Sequence, residues 1–105
     1  MSEKFWSVIK FKPKEGCEDE FLEACRSLKD EHVLGRECVK LDTGEFVGIA
    51  CYPNLDAVLD SQIDGLTWLD EVNHLLEKYE DDSRTEAFSG FAIDLGFKTF
   101  FPAES

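Results

Sequence analysis

FWSVIKF, residues 5 to 11, is the stretch on which the fold turns. Its alternation places Phe5, Ser7, Ile9 and Phe11 on one side of an extended chain and Trp6, Val8 and Lys10 on the other, the spacing of a β-strand with apolar groups on both faces. Both faces of such a strand want cover, so the remaining elements must supply one layer and something else the second.

The first layer follows directly. After the turn KPKEG, the segment CEDEFLEACRSLK (17–29) sets Phe21, Ala24, Cys25 and Leu28 on one helical face, with Glu18, Asp19 and Glu20 in the first turn and Arg26 and Lys29 in the last. LGRECVKLD (34–42) and EFVGIACY (45–52) are strand-like runs joined around Asp42, Thr43 and Gly44, a link suited to an antiparallel hairpin. Asn54 is placed to cap a helical region that begins LDAVLDSQ, and Gly65 is expected to interrupt it. The helical pattern resumes over residues 67 to 79, with Thr67 and Asp70 in capping-box spacing. A polar loop, EDDSRTE, precedes a last strand-like run, AFSGFAIDLGF (87–97). The order β-α-β-β-α-β predicts an α+β, ferredoxin-like domain over residues 1–105: a four-stranded antiparallel sheet with two helices on one face.

That arrangement leaves the Trp6 and Val8 face bare, a larger apolar patch than a monomer usually exposes. A face-to-face homodimer would cover it; the competing cover is the C-terminal stretch KTFFPAES (98–105).

Composition narrows the partners. With 23 acidic against 11 basic residues the formal charge is −12, which repels nucleic-acid phosphates and anionic membranes. The start MSEKFWSVIKF lacks the features of a signal peptide and no apolar run reaches membrane length, so a cytoplasmic location is expected. Cys17, Cys25, Cys38 and Cys51 form no C-x-x-C pair and are expected to be reduced and mostly buried. Neither His-x-x-x-His nor paired cysteines occur, so no metal site is expected.

GLTWLDEVNHLL (65–76) pairs a tryptophan with a histidine. On a regular helix, Trp68, Leu69, Val72, Leu75, Leu76 and Tyr79 fall within an arc of about 120°, with His74 nearly opposite among Asp70, Glu71, Glu77 and Lys78. His74 is therefore read as solvent-facing, and Trp68 and Tyr79 as sharing the side toward the sheet, either as core or as pocket wall. His32, at the end of the first helix, suits a surface or capping role.

The run VIKFKPKEGCEDEFLEACRSL (8–28) resembles the opening of the antibiotic biosynthesis monooxygenase (ABM) family: apolar alternation, a basic-proline turn, Gly16, then an acidic helix start with Phe21 and Leu22. FVGIACYPNLDAV (46–58) is similar to that family's third strand and the helix after it, with Tyr52 where an aromatic commonly stands. The resemblance implies a dimeric α/β barrel, two sheets packed face to face, with an apolar cavity between sheet and helices for a small aromatic or hydrophobic ligand. It also implies a choice of function that the residues leave open: a cofactor-independent monooxygenase, or a non-catalytic ligand-binding or stress-associated dimer. Trp68, Tyr79 and Tyr52 are the expected wall, and the tyrosine hydroxyls with Arg36 are expected to hydrogen-bond a phenolate; no residue is assigned a catalytic role. The haem-degrading branch is matched least: Ile9 stands in the approximate place of its asparagine, and His74 points away from Trp68.

Overall fold

The computed structural model describes residues 4–101. Its elements are β1 (Phe5–Phe11), α1 (Glu18–Ser27), β2 (Gly35–Lys40), β3 (Phe46–Tyr52), α2 (Leu55–Val72), a 3-10 turn (Asn73–Leu75) and β4 (Thr85–Phe91). The strands form one antiparallel sheet in the order β2-β3-β1-β4, with β1 at its centre between β3 and β4. This is the α+β, ferredoxin-like arrangement that the element order predicts.

Local chemistry explains most boundaries. Three acidic side chains in the first turn of α1 and Arg26 in its last complement the helix dipole. Gly44, at φ +89°, supplies the left-handed residue of the β2–β3 hairpin. Asn54 caps α2 by accepting a 2.9 Å hydrogen bond from the Ala57 amide.

The second helical region departs from the expected pattern at two places. Gly65 does not interrupt it: α2 runs unbroken through Gly65, and Thr67 and Asp70 lie inside the helix rather than at a second start. A mid-helix glycine costs about 1 kcal/mol relative to alanine, too little to end a helix held by its neighbours. The helix instead ends at Val72. Beyond it the backbone leaves the helical path to pair with the chain after β1: the Lys14 amide donates to the Leu75 carbonyl at 2.7 Å and the Glu77 amide to the Lys12 carbonyl at 2.8 Å. These bonds strip the following residues of helical geometry, so helical phasing cannot be carried to Tyr79. The last strand is also shifted: β4 begins at Thr85, inside the expected loop, and stops at Phe91.

The helix-facing side of the sheet is divided. At one end Phe11 and Phe46 pack with Phe21 of α1, Trp68 and Val72 of α2, and Leu75 and Leu76 after it. Phe21 has no exposed surface and its ring lies 5.4, 5.7 and 6.2 Å from those of Phe11, Phe46 and Trp68. At the other end the first half of α2 turns small residues inward, Ala57, Ser61 and Gly65, while Leu55, Leu59, Ile63 and Leu66 are exposed.

The opposite side of the sheet carries Trp6 and Val8, in register with Cys51 and Ile49 of β3 and with Gly90 and Phe88 of β4. The C-terminal stretch covers one end of it: the Phe101 ring sits 6.0 Å from Trp6, and a Cβ at Gly35 would run into that ring. Lys4 anchors the segment by donating to Thr99 Oγ1 at 2.9 Å and to the Phe101 carbonyl. Residues 102–105 of that stretch lie outside the described residues. Val39 and Phe88 on this side remain exposed, as do Ile93, Leu95, Phe97 and Phe100 of the segment that leads to Phe101.

Candidate functional site

The divided interior opens into a cleft of about 780 Å³ between the sheet and the two helices. Its origin is the size of five side chains. Ser7 lies opposite Ala50 on β3 and Ser89 on β4, and Ile9 opposite Gly48 and Ala87, so all three neighbouring strands present small groups to the helices at the same level. With Ser61 and Gly65 of α2 across from them, nothing there fills the space that Phe11, Phe46, Phe21 and Trp68 fill at the other end. The volume is within the range of small-ligand pockets, and its lining is predominantly apolar.

Three of the four residues expected to line a pocket meet at this cleft: Trp68, Tyr52 and Arg36. Trp68 is 8% exposed and stands at the boundary between the packed end and the open one. Its indole Nε1 donates to the Ala24 carbonyl at 3.0 Å, which satisfies the polar tip on α1 and leaves the ring as wall. Tyr79 is elsewhere. It follows the end of α2, is absent from the cleft lining, and donates its hydroxyl to Glu45 Oε2 at 2.8 Å, an oxygen that also lies 3.5 Å from Lys10 Nζ. Burial and the Glu45 carboxylate raise the Tyr79 hydroxyl well above its ordinary value; Tyr79, followed by Thr43 and Lys10, holds Glu45 low against the effect of its own burial.

The polar end of the cleft is organised by a residue the sequence reading passed over. Asp30, just after α1, accepts the Tyr52 hydroxyl at 2.9 Å, the Ser61 hydroxyl at 3.0 Å and the His32 amide at 2.9 Å. Burial works to raise its pKa, but the bonds from His32, Tyr52 and Ser61 outweigh it and hold the carboxyl below 3.8. Tyr52 moves the other way, pushed up to about 12 by burial first and by its bond and proximity to Asp30 second. At neutral pH the pair is therefore a carboxylate and a phenol. Asp30 is one of 23 acidic residues, and no local pattern marks it; only the fold brings it to Tyr52 and Ser61.

Arg36 reaches the same end from β2 and donates to the Leu28 carbonyl at 2.6 Å. Cys25 and Cys38 also line the cleft; burial raises both thiols, Cys25 to about 11, so neither is a thiolate nucleophile at neutral pH. All four cysteines are free, but against the expectation of mostly buried thiols only Cys51 is buried; Cys17 and Cys25 are half-buried and Cys38 is exposed. His74 is exposed, as read, although it sits in the 3-10 turn and not on a helix, with Nε2 3.6 Å from Glu20 Oε2. His32 is exposed. Among the described residues no cluster of three or more His, Cys, Asp or Glu is placed to hold a metal ion, and no helix is long and apolar enough to cross a membrane.

No family model matches the chain, and no curated protein matches it by sequence. Solved structures do match its fold. Rv0793 from Mycobacterium tuberculosis superposes with a TM-score of 0.73 at 12% identity, covering 90% of this chain and 99% of that one. A Nitrosomonas europaea structure named "putative antibiotic biosynthesis monooxygenase" gives 0.73 at 13% identity, covering 99% and 97%. A variant of SnoaB, a cofactor-independent oxygenase from Streptomyces nogalater, gives 0.64 at 13% identity, covering 91% and 100%. The chain thus has the fold of ABM-like proteins over nearly its whole length, and identities this low establish the fold alone.

Proposed function

We propose that this chain is an ABM-like small-molecule-binding protein that holds an aromatic or apolar metabolite in the cleft between sheet and helices. The observation that carries the reading is the alignment of Ser7, Gly48, Ala50, Ala87 and Ser89 across three strands, which leaves an apolar space beside an otherwise close-packed core. Trp68 and Tyr52 form its wall and Arg36 stands at its polar end.

The fold neighbours named as monooxygenases favour a reaction over simple storage, and the activity proposed is cofactor-independent monooxygenation of the bound aromatic. Without a reductant the substrate must supply every electron. A dihydroxyaromatic that becomes a hydroxyquinone gives up the four electrons that reduce O2, one oxygen atom going to the ring and the other, with two hydrogens, to water. The protein's part is to bind the ring, orient it and exclude water.

The same reading makes the protein a homodimer, with a second copy covering the sheet face that carries Val8, Val39 and Phe88. Two measurements test the function. Oxygen uptake with a panel of dihydroxyaromatics should show turnover with at least one and lose it in Ala50→Leu, which fills the cleft. Binding of those compounds without any oxygen uptake leaves the non-catalytic ligand-binding protein as the reading; absence of binding removes both.

A further inference from the structure

At the polar end of the cleft the half-buried groups present lone pairs. Asp30 receives hydrogen bonds from His32 and Tyr52 and shares the Ser61 proton with the Ala57 carbonyl, and a carboxylate offers about four acceptor sites, so at least one position stays open. Tyr52 has committed its only proton to Asp30, so its oxygen can only accept from the cleft. Ser61 directs its single proton to Asp30 at 3.0 Å or to the Ala57 carbonyl at 2.9 Å, and is in the same position. The cations nearby are exposed: Arg36 spends one of its N–H donors on the Leu28 carbonyl, and Arg26 pairs with Glu23 at 2.9 Å. Lys29, Glu37 and Asp64 are exposed at the rim, so the half-buried charge is that of Asp30.

We infer that Asp30 is the selectivity-determining residue of the cleft: it accepts a hydrogen bond from an uncharged hydroxyl on an otherwise apolar ligand and disfavours the same skeleton as an anion. This rests on the cleft being a binding site, and it changes the expected ligand form from phenolate to phenol. An acceptor left without a donor in a desolvated site is costly, so a ligand that lacks the hydroxyl binds more weakly. An anionic group beside Asp30 meets a like charge in place of a donor.

Titration of the full chain at neutral pH with three naphthalenes that differ only in the group at position 2 tests this. 2-Naphthol is expected to bind about tenfold tighter than 2-methylnaphthalene, the gain from one hydrogen bond to a charged acceptor. 2-Naphthoate is expected to bind about fivefold more weakly than 2-naphthol. Asp30→Asn should bring the three within about threefold of one another, the residue of a charge-assisted bond turned neutral. Ser61→Ala, which keeps the Asp30 charge, should retain the order. Equal binding of 2-naphthol and 2-methylnaphthalene by the unaltered chain, or 2-naphthoate as the tightest of the three, overturns the inference while the cleft stands. Failure of all three to bind overturns the cleft as a binding site, and the inference with it.

Discussion

Phe21, with no exposed surface and three aromatic rings around it, is the residue on which the packed end of the interior depends. Phe21→Ala is expected to cost about 3–5 kcal/mol, read as a lower urea midpoint at unchanged slope. Asp30 is the corresponding residue at the open end, and its contribution depends on pH. Its folded pKa lies below 3.8, so the stability it adds is present above that value and is lost as pH falls through the lowered one. Melting curves followed by circular dichroism at pH 5 and about pH 3 should show a smaller drop for Asp30→Asn than for the unaltered chain. The remaining drop belongs to carboxylates such as Glu45, also held low. An equal drop in both proteins would assign acid sensitivity wholly to those other groups.

Among the elements, α2 separates what is legible in a sequence from what is not. α1 and the β2–β3 hairpin could be read because their signals are local: an acidic first turn, an inward face led by Phe21, a glycine at the bend. The extent of α2 could not, because Gly65 weakens a helix without deciding it and the end at Val72 is set by bonds to residues 12 to 14, some sixty positions earlier. Tyr79 was misplaced for that reason. The cleft was equally hidden. Trp68 and Tyr52 stand out by residue type, whereas an empty space is made by Ser7, Ala50 and Ser89 only once the register sets them side by side. Gly65→Ala follows from the same element: a Cβ there meets nothing within 4 Å and the backbone is already helical. The substitution should stabilise the chain by about 1 kcal/mol, raising the melting temperature by about 4–8 °C. No rise, or a fall, would show that α2 bends at Gly65 in solution.

For the whole molecule, the distribution of apolar surface is the governing fact. A chain of this length packs to a radius of gyration of roughly 13 Å; this one has 14.6 Å and a long axis of 46 Å. Phe97 and Phe100, 78% and 88% exposed, lie on the segment that loops out before Phe101 returns to Trp6. A second copy is the proposed cover, so sedimentation equilibrium should give twice the chain mass of 12.0 kDa. Phe88→Lys, on the open face opposite Val8, should return the protein to that single-chain mass without loss of secondary structure. A monomeric unaltered protein at micromolar concentration would end the dimer reading. The placement of the two tryptophans on opposite sides of one sheet has a practical consequence as well. Trp68 looks into the cleft and Trp6 lies under Phe101 on the other face, so the chain's two indole fluorophores have separate surroundings. With Trp6→Phe, emission and acrylamide quenching report what enters the cleft; with Trp68→Phe, they report what settles on the open face.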